Sequence, residues 1–166
     1  MAQKKTGSDR EHTDRAGLMR DLGAVSRRYM ASYALFNQAL ADRLGLHPTD
    51  LQCLNLLGLE AGPVTTGRIA ELTGLTTGSA TRLADRLEKA GYVTRRRCTH
   101  DRRKVLVELV PEKMAELGKV WGRLNGVWWQ MFDAYEDDEI ALIATHMRRT
   151  VEIGAGQIER LRSGEF

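Results

Sequence analysis

Apolar residues recur at spacings of three and four through Leu18, Leu22, Val25, Tyr29, Tyr33, Phe36 and Leu40, which predicts a long amphipathic helix with one apolar stripe. Gly45 ends it. Thr49-Asp50-Leu51-Gln52 then has the form of a capping box, opening a second helix to about Leu59 that Gly62-Pro63 closes. A short helix follows over about residues 66–72, with Thr65 placed to cap it. After the turn Thr73-Gly74-Leu75, Thr76 is placed to cap a further helix that runs to Lys89 and stops at Gly91. Two short helices joined by a glycine-containing turn fit the helix-turn-helix pattern.

The period then changes. Residues 92–97 alternate loosely, and Val105, Val107 and Leu109 share one face of a second alternating run. Between them lies the turn-prone, basic Cys98-Thr99-His100-Asp101-Arg102-Arg103, so the pattern predicts a β-hairpin as the only strand pair. Pro111 opens another long helix, marked by Met114, Leu117, Trp121, Leu124, Trp128 and Met131. A last helix begins near Glu136-Asp137-Asp138-Glu139 and carries Ile140, Ile143, Met147, Val151, Ile158 and Leu161; Gly154 and Gly156 predict bending or fraying in its middle. The expected fold is mainly α with one β-hairpin: a winged helix-turn-helix domain flanked by long N- and C-terminal dimerisation helices. The corresponding segments are a disordered polar tail (1–16), an N-terminal dimerisation helix (17–46), a winged helix-turn-helix lobe (47–110) and C-terminal dimerisation helices (111–166). The broad apolar stripes of the outer helices suggest a two-fold interface between identical chains.

Composition narrows the class. With 28% charged and 42% hydrophobic residues, the 166-residue chain has neither a disordered nor a membrane composition. It contains no apolar run near the roughly 18–20 residues of a spanning helix. The polar start shows no secretory signal, and two isolated cysteines fit a reducing cytoplasm, so a cytoplasmic location is expected. Cys53 lies in an apolar run and reads as a small buried hydrophobe; Cys98, in basic surroundings, has the better claim to reactivity. The net charge of +3 is unevenly placed: residues 64–110 hold ten Lys/Arg against five acids, leaving fifteen against seventeen elsewhere. A basic middle on a near-neutral scaffold suggests a polyanion site.

The helix ending at Lys89 shows where such a site would lie. Ala80, Leu83, Ala84 and Leu87 fall on one side, while Gly78, Thr81, Arg82 and Asp85 lie opposite. With Thr76, Thr77 and Ser79, the outward N-terminal half is small, hydroxylated and basic, a surface that fits a major groove of double-stranded DNA. The helix N-terminus also favours nearby phosphate.

The run from Gly74 to Val93, containing Asp85-Arg86-Leu87-Glu88-Lys89, resembles the recognition helix of the multiple-antibiotic-resistance regulator (MarR) family of bacterial transcription factors. Arg95-Arg96 followed by Asp101-Arg102-Arg103-Lys104 resembles that family's wing with its Asp-x-Arg tip. The resemblance spans nearly the whole chain. It implies a homodimer, with the first and last helices as its arm, acting as a repressor or less often an activator on a pseudo-palindromic site. It further implies that Arg103 enters the minor groove and that Asp101 holds it. Narrow minor grooves concentrate negative potential and attract arginine. Arg86, Arg95, Arg97, Arg102 and Lys104 complete the set of expected DNA-facing residues, with the proviso that at most two of Arg95, Arg96 and Arg97 point the same way. Gly78 departs from the family pattern, which often has a side chain there.

Family members often release DNA on binding a small, frequently aromatic effector. Tyr29, Tyr33, Phe36 and Trp121 are the candidate pocket residues, with Trp128 and Trp129 beside them; all equally fit ordinary core and interface positions. No catalytic motif is present, and no cofactor or metal is expected: the four histidines are scattered, and Cys98 with His100 falls short of a zinc ligand set. The alternative function is a winged-helix protein–protein interaction module that does not bind specific DNA.

Overall fold

A computed structural model describes residues 14–98 and 104–165 of the chain. The order of elements is α1 (Arg15–Leu44), α2 (Pro48–Leu57), β1 (Val64–Thr65), α3 (Thr66–Thr73), α4 (Thr77–Lys89), β2 (Val93–Arg97), β3 (Val105–Leu109), α5 (Pro111–Gln130), a 3-10 turn (Met131–Ala134) and α6 (Asp137–Ser163). The chain divides into two compact units, one through Val110 and one from Pro111. The first helix therefore belongs to the same unit as the helix-turn-helix, and that helix already begins at Arg15, inside the stretch expected to be tail. Residues 1–13 lie outside the described residues.

Local chemistry explains most boundaries. The α1 helix stops at Gly45, whose left-handed φ of 67° lets its N–H reach back to the carbonyls of Ala41 and Asp42. The start of α2 differs from the expected capping box: Pro48 is its first residue, and His47 Nδ1 accepts the Thr49 N–H at 3.3 Å. Proline's fixed φ and missing N–H suit that first position, so the N-cap is His47 rather than Thr49 and the helix begins two residues earlier. Thr65 caps α3 through Oγ1 and the Arg68 N–H (3.2 Å), and Gly74, at φ 72°, makes the turn into α4.

A core built from α2, α3, α4 and the sheet positions everything else in the first unit. Leu51, Leu54, Ile69, Leu83, Leu87 and Val107 are fully buried in it. The sheet corrects one expectation: β1 joins the hairpin, giving antiparallel order β1-β3-β2, with Val64 opposite Val107 and Val93 opposite Leu109. A two-residue strand has too short a pattern to announce itself; its edge pairing exists because β3 is there to receive it.

In the second unit, α6 carries the capping box at Glu136 and Glu139. It stays helical through Gly154 and Gly156, so it does not fray there. The cost of a helical glycine, about 1 kcal/mol each, is small beside a 27-residue helix.

Candidate nucleic-acid interface

The α4 surface forms as the wheel predicts: Ala80, Leu83, Ala84 and Leu87 are buried, while Thr76, Thr77, Gly78, Thr81, Arg82 and Asp85 are exposed. Thr76 Oγ1 accepts the Ser79 N–H (3.3 Å) and donates to Ser79 Oγ (3.1 Å), and Arg82 Nη2 donates to the same hydroxyl at 3.1 Å. Thr81 Oγ1 donates to the Thr77 carbonyl (2.9 Å). The outward head of α4 is thus a hydroxyl cluster with a guanidinium laid along it. A Cβ built on Gly78 meets nothing within 4 Å, so internal packing does not require glycine there.

On the wing side, β2 and β3 pair from Val93–Leu109 to Arg97–Val105, and Cys98 N–H donates to the Lys104 carbonyl at 2.9 Å, extending the ladder toward the tip. Asp101, Arg102 and Arg103 lie outside the described residues. The three β2 arginines have different surroundings. Arg97 is exposed and forms no ion pair among the described residues, and Lys104 is exposed. Arg96 Nε donates to Glu108 Oε2 at 3.0 Å across the strands. Arg95, half-buried, is engaged by Asp85 and Glu88 of α4.

Arg86, expected as a DNA-facing cation, also has an acid partner within the fold. Its Nε donates to Asp50 Oδ2 at 2.8 Å and its Nη2 to Oδ1, a two-point pair that also raises the Arg86 pKa. Asp50, 2% exposed, is the buried charged residue of the core that sequence reasoning passed over. The signal was available: Asp50 shares a helical face with Cys53, Leu54 and Leu57, so an acid there must find a cation. A second unforeseen link joins the turn after α2 to α3. Arg68 donates to both Glu60 oxygens (3.0 and 3.1 Å) and to Glu71 (3.1 Å), and its hydrogen bonds hold the Glu60 pKa below the ordinary carboxylate value.

Comparison with known proteins settles what carries this surface. Residues 44–104 match the sequence profile of the MarR family. Over 128 residues the chain is 39% identical to the uncharacterized HTH-type transcriptional regulator YcgE of Bacillus subtilis (strain 168), spanning 77% of this chain and 82% of YcgE. The chain belongs to the MarR family. Its fold is similar to that of a MarR family protein from Bacillus stearothermophilus (TM-score 0.66, 21% identity, 84% of this chain and 97% of that one). It is also similar to that of a MarR transcriptional regulator from Methanosarcina mazei Go1 (TM-score 0.62, 20% identity, 82% and 98%). This MarR-family chain is a winged helix-turn-helix, DNA-binding transcriptional regulator and not an enzyme.

The expected effector residues of this MarR-family protein fall in both units. Tyr29 and Tyr33 are exposed on α1, with Phe36 half-buried beyond them, and Trp121 is half-buried on α5. A groove of about 170 Å³ lies elsewhere, between the end of α2 and β3, lined by Leu57, Pro63, Val107 and Leu109 with Glu60 and Glu108. None of the expected aromatic residues lines it. Among the described residues, no helix is long and apolar enough to cross a membrane.

Proposed function

We propose that this chain acts in the cytoplasm as a homodimeric, sequence-specific repressor. In this reading the head of α4 enters the major groove, and the wing, residues 95–104, lies at the minor groove of a pseudo-palindromic operator. The observation that carries it is the outward face of α4: exposed Thr76, Thr77, Gly78, Thr81 and Arg82, with Ser79 between them, opposite four buried apolar residues. Hydroxyls suit phosphates and base edges, and an arginine on the second turn suits guanine. Arg97 and Lys104 add phosphate contacts, and Arg103 takes the minor-groove role that the family resemblance assigns to it.

Support for the dimer comes from apolar side chains left in water. On α1, Leu18, Leu22, Val25 and Tyr29 stand exposed at helical spacing, and on α6 so do Met147, Val151, Ile158 and Leu161. Stripes of this extent favour a self-complementary partner. A dimer sets its two recognition helices about 34–36 Å apart, one turn of duplex. Release by a small aromatic effector is the remaining part of the reading, supported by the family resemblance and the aromatic side chains of α1 and α5.

The test is selection of the purified protein on random duplex DNA at several salt concentrations. An enriched palindrome, with affinity falling steeply as salt rises, is the expected result. Salt-sensitive binding without a motif would replace it with an architectural role, and no binding at low salt with a protein-interaction module.

A further inference from the structure

Thr81, Asp85 and Glu88 follow one another along α4 at i, i+4 and i+7, which aligns them on one edge of the helix. The chain turns at Gly91 and returns as β2, and Arg95 is the β2 residue that meets this edge. Its Nη1 lies 2.6 Å from Asp85 Oδ1 and 3.2 Å from Glu88 Oε2, and its Nη2 donates to the Thr81 carbonyl at 3.3 Å.

Strand register dictates this direction. Val93 is buried and Arg95 is paired with buried Val107, so residues 93 and 95 face α4 while Arg96 takes the opposite face and pairs with Glu108. The Arg95 side chain is 25% exposed, against 47% for Arg96. A planar fork touching acceptors on consecutive turns restrains a helix far more than a single contact does. With both carboxylates beside it, this guanidinium is already neutralised and offers little to a phosphate.

We propose that Arg95 is a positioning residue for DNA recognition: it latches α4 to the wing strand, so that recognition helix and wing meet the duplex at a fixed angle, and makes no phosphate contact itself. This rests on the regulatory reading above.

Two measurements test it. In the DNA-free protein, hydrogen exchange of α4 and β2 amides is compared between wild type and Arg95→Met, which keeps the length of the side chain and loses its charge. Loss of a coupled ion pair predicts exchange about tenfold faster in both elements, with Arg95→Lys in between. Unchanged exchange in Arg95→Met would overturn the latch. The second measurement is duplex affinity of the double variant Asp85→Asn, Glu88→Gln, whose positions are exposed on α4. Removing two negative charges near DNA and freeing Arg95 raises affinity if charge alone matters. A positioning role predicts instead a fall of about tenfold, and a rise would overturn it. Failure of wild type to bind any duplex would sink the regulatory reading and the proposal with it, and the exchange data would then show separately whether the latch exists.

Discussion

Asp50 and Arg86, 36 residues apart in sequence, form a two-point ion pair that ties the first turn of α2 to α4. The pair is lopsided: the Asp50 side chain is 3% exposed and that of Arg86 51%. Removing the arginine strands a buried carboxylate, whereas removing the acid leaves a cation that water can still reach. Arg86→Ala is therefore expected to lower stability by about 3 kcal/mol, and Asp50→Ala by about half as much. Urea unfolding of the two variants checks this, and equal losses would mean that burial does not set the asymmetry.

Gly78 offers a clean separation of folding from binding. A Cβ there meets nothing, and alanine is the better helix former, so Gly78→Ala is expected to stabilise the free protein by about 0.5 kcal/mol. If the α4 backbone approaches DNA closely at this point, the same change weakens operator binding. Thermal unfolding and a DNA titration on one protein sample read both signs.

Arg82 and Arg103 are expected to fail differently. Arg82→Ala loses affinity and relaxes preference at one position of each half-site, the mark of a base contact. On the proposed minor-groove role, Arg103→Ala is expected to cost about 1–3 kcal/mol of binding. Selection on random duplexes separates the two, since uniform weakening across sites would make Arg82 a phosphate contact.

The two thiols are expected to react in sequence. Burial, with a smaller contribution from the Asp50 charge, pushes the Cys53 pKa up to about 12, while Cys98 is half-buried beside the wing. A disulfide exchange reagent near pH 8 should modify Cys98 first and reach Cys53 only as the chain unfolds. A thiol whose folded pKa lies above its ordinary value of 9.0 contributes stability that is present below about pH 9 and is lost as pH rises toward 12. Denaturant midpoints falling between those pH values in wild type, and less so in Cys53→Ala, would confirm it.

Periodicity and caps were legible in the chain itself because they are local. Apolar spacing places α1, α3, α4 and the hairpin; Thr65, Thr76, Gly45 and Gly74 mark ends through bonds within a few residues. The outward face of α4 follows from the same wheel. Tertiary structure alone decided how the charges are used. Composition shows a basic middle, yet Arg86 and Arg95 spend their guanidinium groups on Asp50, Asp85 and Glu88, and Arg68 reaches Glu60 outside its own helix. The β1 strand likewise exists only through its pairing with β3, about 40 residues downstream. Beyond the i,i+3 and i,i+4 pairs of a single helix, an arginine's partner depends on which acids the fold brings within about 4 Å of it, and spacing along the chain does not encode that distance.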